Sequence, residues 1–152
     1  MRCNVGVNPV FLTDQFLIAE YREEPMLIGS LEYWGWEIKS SIPASFNLGS
    51  GHMNFLKNKL RYVQRRHHEV KLEMTRRGFF CETLSMDLTG IPERFCNDWQ
   101  PTIEDSKILR SRLLWKLRNK PELFWRHYRK KLDLEKLNEL ISNIENGEMF
   151  YV

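Results

Sequence analysis

The chain has 152 residues, 42% of them hydrophobic and 28% charged, with a net charge of +3. That is long enough for one domain with a real core and too apolar for a disordered segment. No apolar run approaches a membrane span and no signal-peptide pattern opens the chain. Three scattered cysteines, Cys3, Cys81 and Cys96, lack the spacing of a zinc site. A cytoplasmic protein with free thiols, no metal, no cofactor and no membrane partner is the expectation.

In chain order, Thr13 or Asp14 can cap a first helix whose apolar face is Leu17, Ile18 and Tyr21. Pro25 has no N–H and crowds the carbonyl of Tyr21, so the helix must kink or break there. The stretch SSIPASFNLGSGH, 40–52, reads as a loop by its Ser, Pro and Gly content. A second helix is expected from about Asn54, with Leu56, Leu60, Val63, Val70 and Met74 on one stripe and Gly78 as its stop. Residues 79–101 read as irregular. Thr102 and Asp105 form a capping box for a third helix running to about Asn119, and Pro121 follows it. A short fourth helix starts at Asp133, carries Leu134, Leu137, Leu140, Ile141 and Ile144 on one face, and ends at Gly147. With no convincing strand, the expected fold is all-α: one compact domain of three main helices with long loops over 1–130, and a C-terminal helical extension over 131–152 packed on or beside it.

Charge is unevenly spread. Residues 51–130 carry 18 basic and 9 acidic side chains, whereas 1–50 carry 3 and 6. Interleaved with Trp, Tyr and Phe, that middle has the composition of a surface for a polyanion, most simply nucleic acid. A set of solvated basic helix faces is the alternative. The segment DQFLIAEYREEP, Asp14–Pro25, poses a related choice. Its glutamates Glu20, Glu23 and Glu24 are either a solvated face pairing with Arg22 or a carboxylate group aimed by the proline bend.

The motifs DQFLIAEYREEP, LGSGHMNFLKNKL, RRGF, IPERF and SRLLWKLRNKP, in this order, resemble the phage pyrimidine-dimer DNA glycosylases, over roughly residues 1–130. The resemblance implies a small all-α base-excision enzyme with coupled abasic-site lyase activity, acting as a monomer on lesion-bearing double-stranded DNA. If the chain is phage-encoded, it would act in the host cell cytoplasm. In that family the nucleophile is the α-amine of the processed N-terminus, working beside a glutamate of the YRE segment, here Glu23. Aligning MRCN on the family's opening places Arg2 on its arginine, Asn4 on its asparagine and Met1 on the nucleophile. Methionine is not removed before arginine, which favours the Met1 amine; removal exposing Arg2 is the alternative.

The chemistry suits those groups. An amine attacking C1′ releases the base and leaves an imine, which acidifies the C2′ protons and lets the 3′ phosphate depart. An α-amine, with a pKa near ~7.7–8.0, is far better supplied in its neutral form than a lysine near ~10.4. Arg2 and Arg22 would lower it further by like-charge repulsion. Glu23 would stabilise the positive charge developing at the sugar and move protons. By the same resemblance Gln15 and Arg22 lie against DNA near the lesion, and Arg112 and Lys116, four residues apart on the third helix, bind phosphates.

Departures from the family pattern concern the substrate more than the chemistry. Phe16 stands where the family has His, and Met26 where it has an active-site Arg. The basic loop after the first helix is reduced to LEYWGWEIKSSIP, 31–43, and the C-terminal aromatic segment is rewritten as ELFWRHYRKK, 122–131. His52 is read as filling the start of the second helix, and Cys3 as a small apolar filler. The same chemistry on another damaged or modified base, and a non-catalytic DNA-binding module, are the alternative functions.

Overall fold

The computed structural model describes residues 3–39, 41–81, 85–120 and 125–152. Among them are six α-helices: α1 (Asp14–Glu23), α2 (Met26–Tyr33), α3 (Ser50–Leu56), α4 (Leu60–Arg76), α5 (Ile103–Asn119) and α6 (Leu134–Asn146). The fold is all-α apart from a two-residue antiparallel hairpin, β1 (Arg126–His127) with β2 (Lys130–Lys131), which the sequence pattern did not signal. No described helix is long and apolar enough to cross a membrane.

Local chemistry sets the helix ends. The Thr13 hydroxyl accepts the Phe16 N–H and starts α1, and the Thr102–Asp105 capping box starts α5 where the sequence placed it. Pro25 breaks rather than bends the first helix, so that α2 begins one residue later. The expected second helix is in fact two, α3 and α4. Between them Lys59 leaves helical geometry and its backbone bridges to Cys96, which turns the chain before Leu60. Gly78, in the left-handed region at φ 75°, ends α4. There the Phe79 and Gly78 N–H groups cap the Met74 and Thr75 carbonyls.

Helix α1 packs on α4, and α5 on α6. The leading segment, Cys3–Leu12, runs through the interior with Cys3, Val5, Val7 and Leu12 buried. Gly6 permits this route: at φ +68° a Cβ there would stand 2.6 Å from the Cβ of Ser106 on α5. Leu137, Leu140, Ile141 and Ile144 of α6 join the same core, whereas Leu134, expected on that face, is 71% exposed at the first position of the helix. Beyond it the Phe150 N–H bonds the Gly6 carbonyl at 3.1 Å.

Two of the 18 basic residues of the middle are internal rather than part of a surface for a polyanion, and others are held in ion pairs. Arg66 and Arg77 are buried. Arg77 binds Glu73 and Asp14 and donates to the carbonyls of Pro9, Val10 and Leu12. Arg61 pairs with Glu93, and Arg65 with Asp98. The positive charge that remains for a ligand is therefore smaller and more localised than the composition implies.

Candidate active site

Helix α1 presents two kinds of carboxylate. Glu20 and Glu24, four residues apart, point inward and are fully buried, while Glu23 at the helix's last position is half-buried and Arg22 is exposed. The solvated-face reading of the three glutamates thus fails for two of them.

Glu20 is the hub. Its oxygens accept from Arg66 Nε at 2.8 Å and Nη2 at 3.1 Å, and from the backbone N–H and side-chain amide of Asn4 at 2.6 and 2.7 Å. Arg66 Nη1 donates to the Val7 carbonyl at 2.7 Å. Burial works against the Arg66 charge, but the Glu20 carboxylate outweighs it and the guanidinium titrates higher than usual. Together these contacts fasten the leading segment of the chain to α1 and α4.

Beside the hub, burial and then the Glu20 charge hold the Glu24 carboxyl well above the ordinary carboxylate range. Burial, and then the Glu24 and Glu20 charges, push the neighbouring Cys3 thiol well above its ordinary value. Cys3 is an inert packing group, as the sequence suggested. Cys3, Glu20 and Glu24 bring their ligand atoms within 4.8 Å of one another, the spacing of a metal site. The donor set does not suit a cation, however: a guanidinium already occupies both Glu20 oxygens, and burial disfavours the charged form of Glu24. Glu24 also faces Nδ1 of buried His67 at 3.3 Å.

Of the residues singled out from the sequence, Met1 and Arg2 lie outside the described residues. Gln15 is exposed on the first turn of α1 and its Oε1 accepts the Arg126 N–H at 3.0 Å. Arg112 and Lys116 are half-buried on α5. Lys116 Nζ lies 5.8 Å from the centre of the Phe16 ring, and Phe16 packs on Trp125 at 5.0 Å. Gln15, Lys116 and, one helical turn before it, Arg112 thus lie in one neighbourhood. Phe16 is buried in the core, and Met26 is 62% exposed.

His52 fills the start of α3 against Phe46, with ring centroids 5.1 Å apart. Burial, then the nearby Arg112 charge, lowers its pKa to about 4, so it is neutral at pH 7. Neither ring nitrogen has a hydrogen-bond partner. Its reading as a filler holds, but the arginine beside it was not foreseen, nor was the Glu20–Arg66 hub. The hub did have a signal. Glu20 lies three residues after Leu17, and Arg66 three after Val63 and four before Val70, so opposite charges sit on two apolar stripes.

A family model described as pyrimidine dimer DNA glycosylase matches residues 2–85. That span takes in the leading segment, the Glu20–Arg66 hub, both glutamates beside it and His52. With more than half of the sequence matched, the chain belongs to the pyrimidine dimer DNA glycosylase family.

Proposed function

We propose that the chain excises pyrimidine dimers from duplex DNA and then nicks the resulting abasic site, using the Met1 α-amine as nucleophile and Glu23 as the carboxylate beside it. The amine attacks C1′ as the bond from C1′ to the base breaks, and the departing base takes up a proton. The resulting imine joins the α-nitrogen to C1′. Loss of a C2′ proton then expels the 3′ phosphate, and water hydrolyses the imine to free the enzyme. Gln15, Arg22, Arg112, Lys116 and Arg2 are the proposed DNA contacts, and the enzyme works as a monomer in the cytoplasm without metal or cofactor.

One observation carries this reading: the start of the chain is pinned to α1 at the turn that bears Glu23. Asn4 is bound by Glu20, and the Cys3 sulfur and the carboxylate of Glu24, the residue next to Glu23, lie within 4.8 Å of each other. The reading asks of the Met1 amine a reach of two residues from Cys3, at most ~7 Å when fully extended. A nucleophile held near its substrate carbon would not have to find it by diffusion.

Borohydride trapping on duplexes carrying a pyrimidine dimer or an abasic site, with mass mapping of the adduct, tests the proposal. An adduct on the Met1 amine with both substrates, lost in Glu23→Gln, is the expected result. Trapping on the abasic site alone would move the base specificity to another lesion. No adduct on either would overturn the enzyme reading in favour of a DNA-binding module.

A further inference from the structure

Helix α2 ends in an exposed aromatic knuckle. Tyr33 is 80% and Trp34 45% exposed, and their rings meet edge to face at 5.0 Å. The knuckle is held rigid from beneath. The Trp36 N–H bonds the Leu31 carbonyl at 2.8 Å and the Gly35 N–H the Glu32 carbonyl at 2.9 Å, the pairing that closes a helix through a left-handed residue. Gly35 takes that conformation at φ 64°, and Trp36, unusually for a residue with a side chain, follows it at φ 61°. The Trp36 ring packs on Phe95 at 5.8 Å, and Arg94 Nη2 donates to the Trp36 carbonyl at 2.7 Å. A solvated loop has no use for this much bracing.

Cations surround the rings. Lys39 Nζ stands 4.0 Å over Trp34, Arg94 is exposed beneath the turn, and Arg22 is exposed at the end of α1. Met26, Gly29 and Tyr33, at helical spacing, share the exposed face of α2. Tyr33 is ten residues beyond Glu23. At a rise of 1.5 Å per residue in the helix and about 2.0 Å in the turn that breaks it, that is at most about 20 Å, or roughly six base-pair steps.

From this arrangement we propose that Tyr33, backed by Trp34, is a stacking platform for a nucleobase of the DNA strand flanking the lesion, with Lys39 set to meet the adjoining phosphate. An enzyme that cleaves a glycosidic bond inside a duplex must disturb stacking around its target. A flat, pre-ordered aromatic face beside a cation is the chemistry that takes up an unstacked base, whatever its sequence. The platform compensates for a post-helix loop with little positive charge by a contact that salt does not screen. It rests on the reading of DNA as substrate, but not on the identity of the nucleophile.

The test places 2-aminopurine at each of the six positions flanking a pyrimidine dimer in turn and compares wild type with Tyr33→Ala and Tyr33→Phe. Wild type and Tyr33→Phe should quench the probe on binding. Tyr33→Ala should lose the quenching and bind the lesion duplex roughly ten-fold more weakly. The salt dependence of its binding should be unchanged, since no charge is removed. At 80% exposure Tyr33 is dispensable for folding. Quenching and affinity equal to wild type in Tyr33→Ala would overturn the platform even if excision proceeds. Probe quenching lost in Tyr33→Ala, without excision by any variant, would uphold the platform and remove the glycosylase reading instead.

Discussion

Glu20 and Arg66 form a fully buried, two-pronged ion pair whose carboxylate also receives both hydrogen bonds of Asn4. The pair spans α1 and α4, and the N-terminal segment hangs from it. Taking two charges out of water costs about as much as their attraction returns, so such a pair adds little net stability. What it adds is position: a leading segment that belongs to none of the α-helices is given a fixed place.

Removing one partner leaves the other charged and alone in the core, a loss of about 3–5 kcal/mol. Glu20→Ala and Arg66→Met should each show that drop in urea unfolding. The double variant Glu20→Leu/Arg66→Met should recover most of the stability, since neither charge is then stranded. It should not recover borohydride trapping, because Asn4 has lost its acceptor. A double variant that is stable and traps at the wild-type level would show that the pair does not position the site.

His52 links the fold to pH. Its folded pKa, about 4, lies below its ordinary 6.5, so the unfolded chain binds the proton more tightly. The stability this confers is complete above 6.5 and is lost as pH falls from 6.5 towards 4, up to about 3 kcal/mol. In His52→Phe the urea midpoint should fall less steeply over that interval than in wild type. Parallel curves for the two proteins would mean that the imidazole takes up its proton as readily in the fold as in the unfolded chain.

The helices were legible where a local rule acts alone. The Thr102–Asp105 box and the stripe from Leu137 to Ile144 both lie where the sequence put them, because capping and 3.6-residue periodicity are read within one turn or one face. The break at Lys57–Lys59 was not legible, since it depends on a backbone bridge to Cys96, far along the chain. The burial of Glu20, Glu24, Arg66 and Arg77 escaped for a related reason: a charged residue on an apolar stripe reads as surface until its partner on another helix is known. The knuckle escaped too, because the sequence of the loop records how little charge it has and says nothing of how rigidly its aromatics are held.

The last expectation concerns the face that bears Arg112 and Lys116. Each cation that neutralises a phosphate releases a counterion, so log Kobs falls against log salt with a slope near −0.9 per contact. Arg112→Ala and Lys116→Ala should each flatten that slope by about 0.9, and together by about 1.8, on damaged and undamaged duplex alike. Arg118 is the internal control. It lies on the same helix but is engaged by Glu145 at 3.0 Å, so Arg118→Ala should leave the slope nearly unchanged. If Arg118→Ala flattens the slope while Arg112→Ala does not, the phosphates run along the other side of α5, and Gln15 no longer shares a face with them.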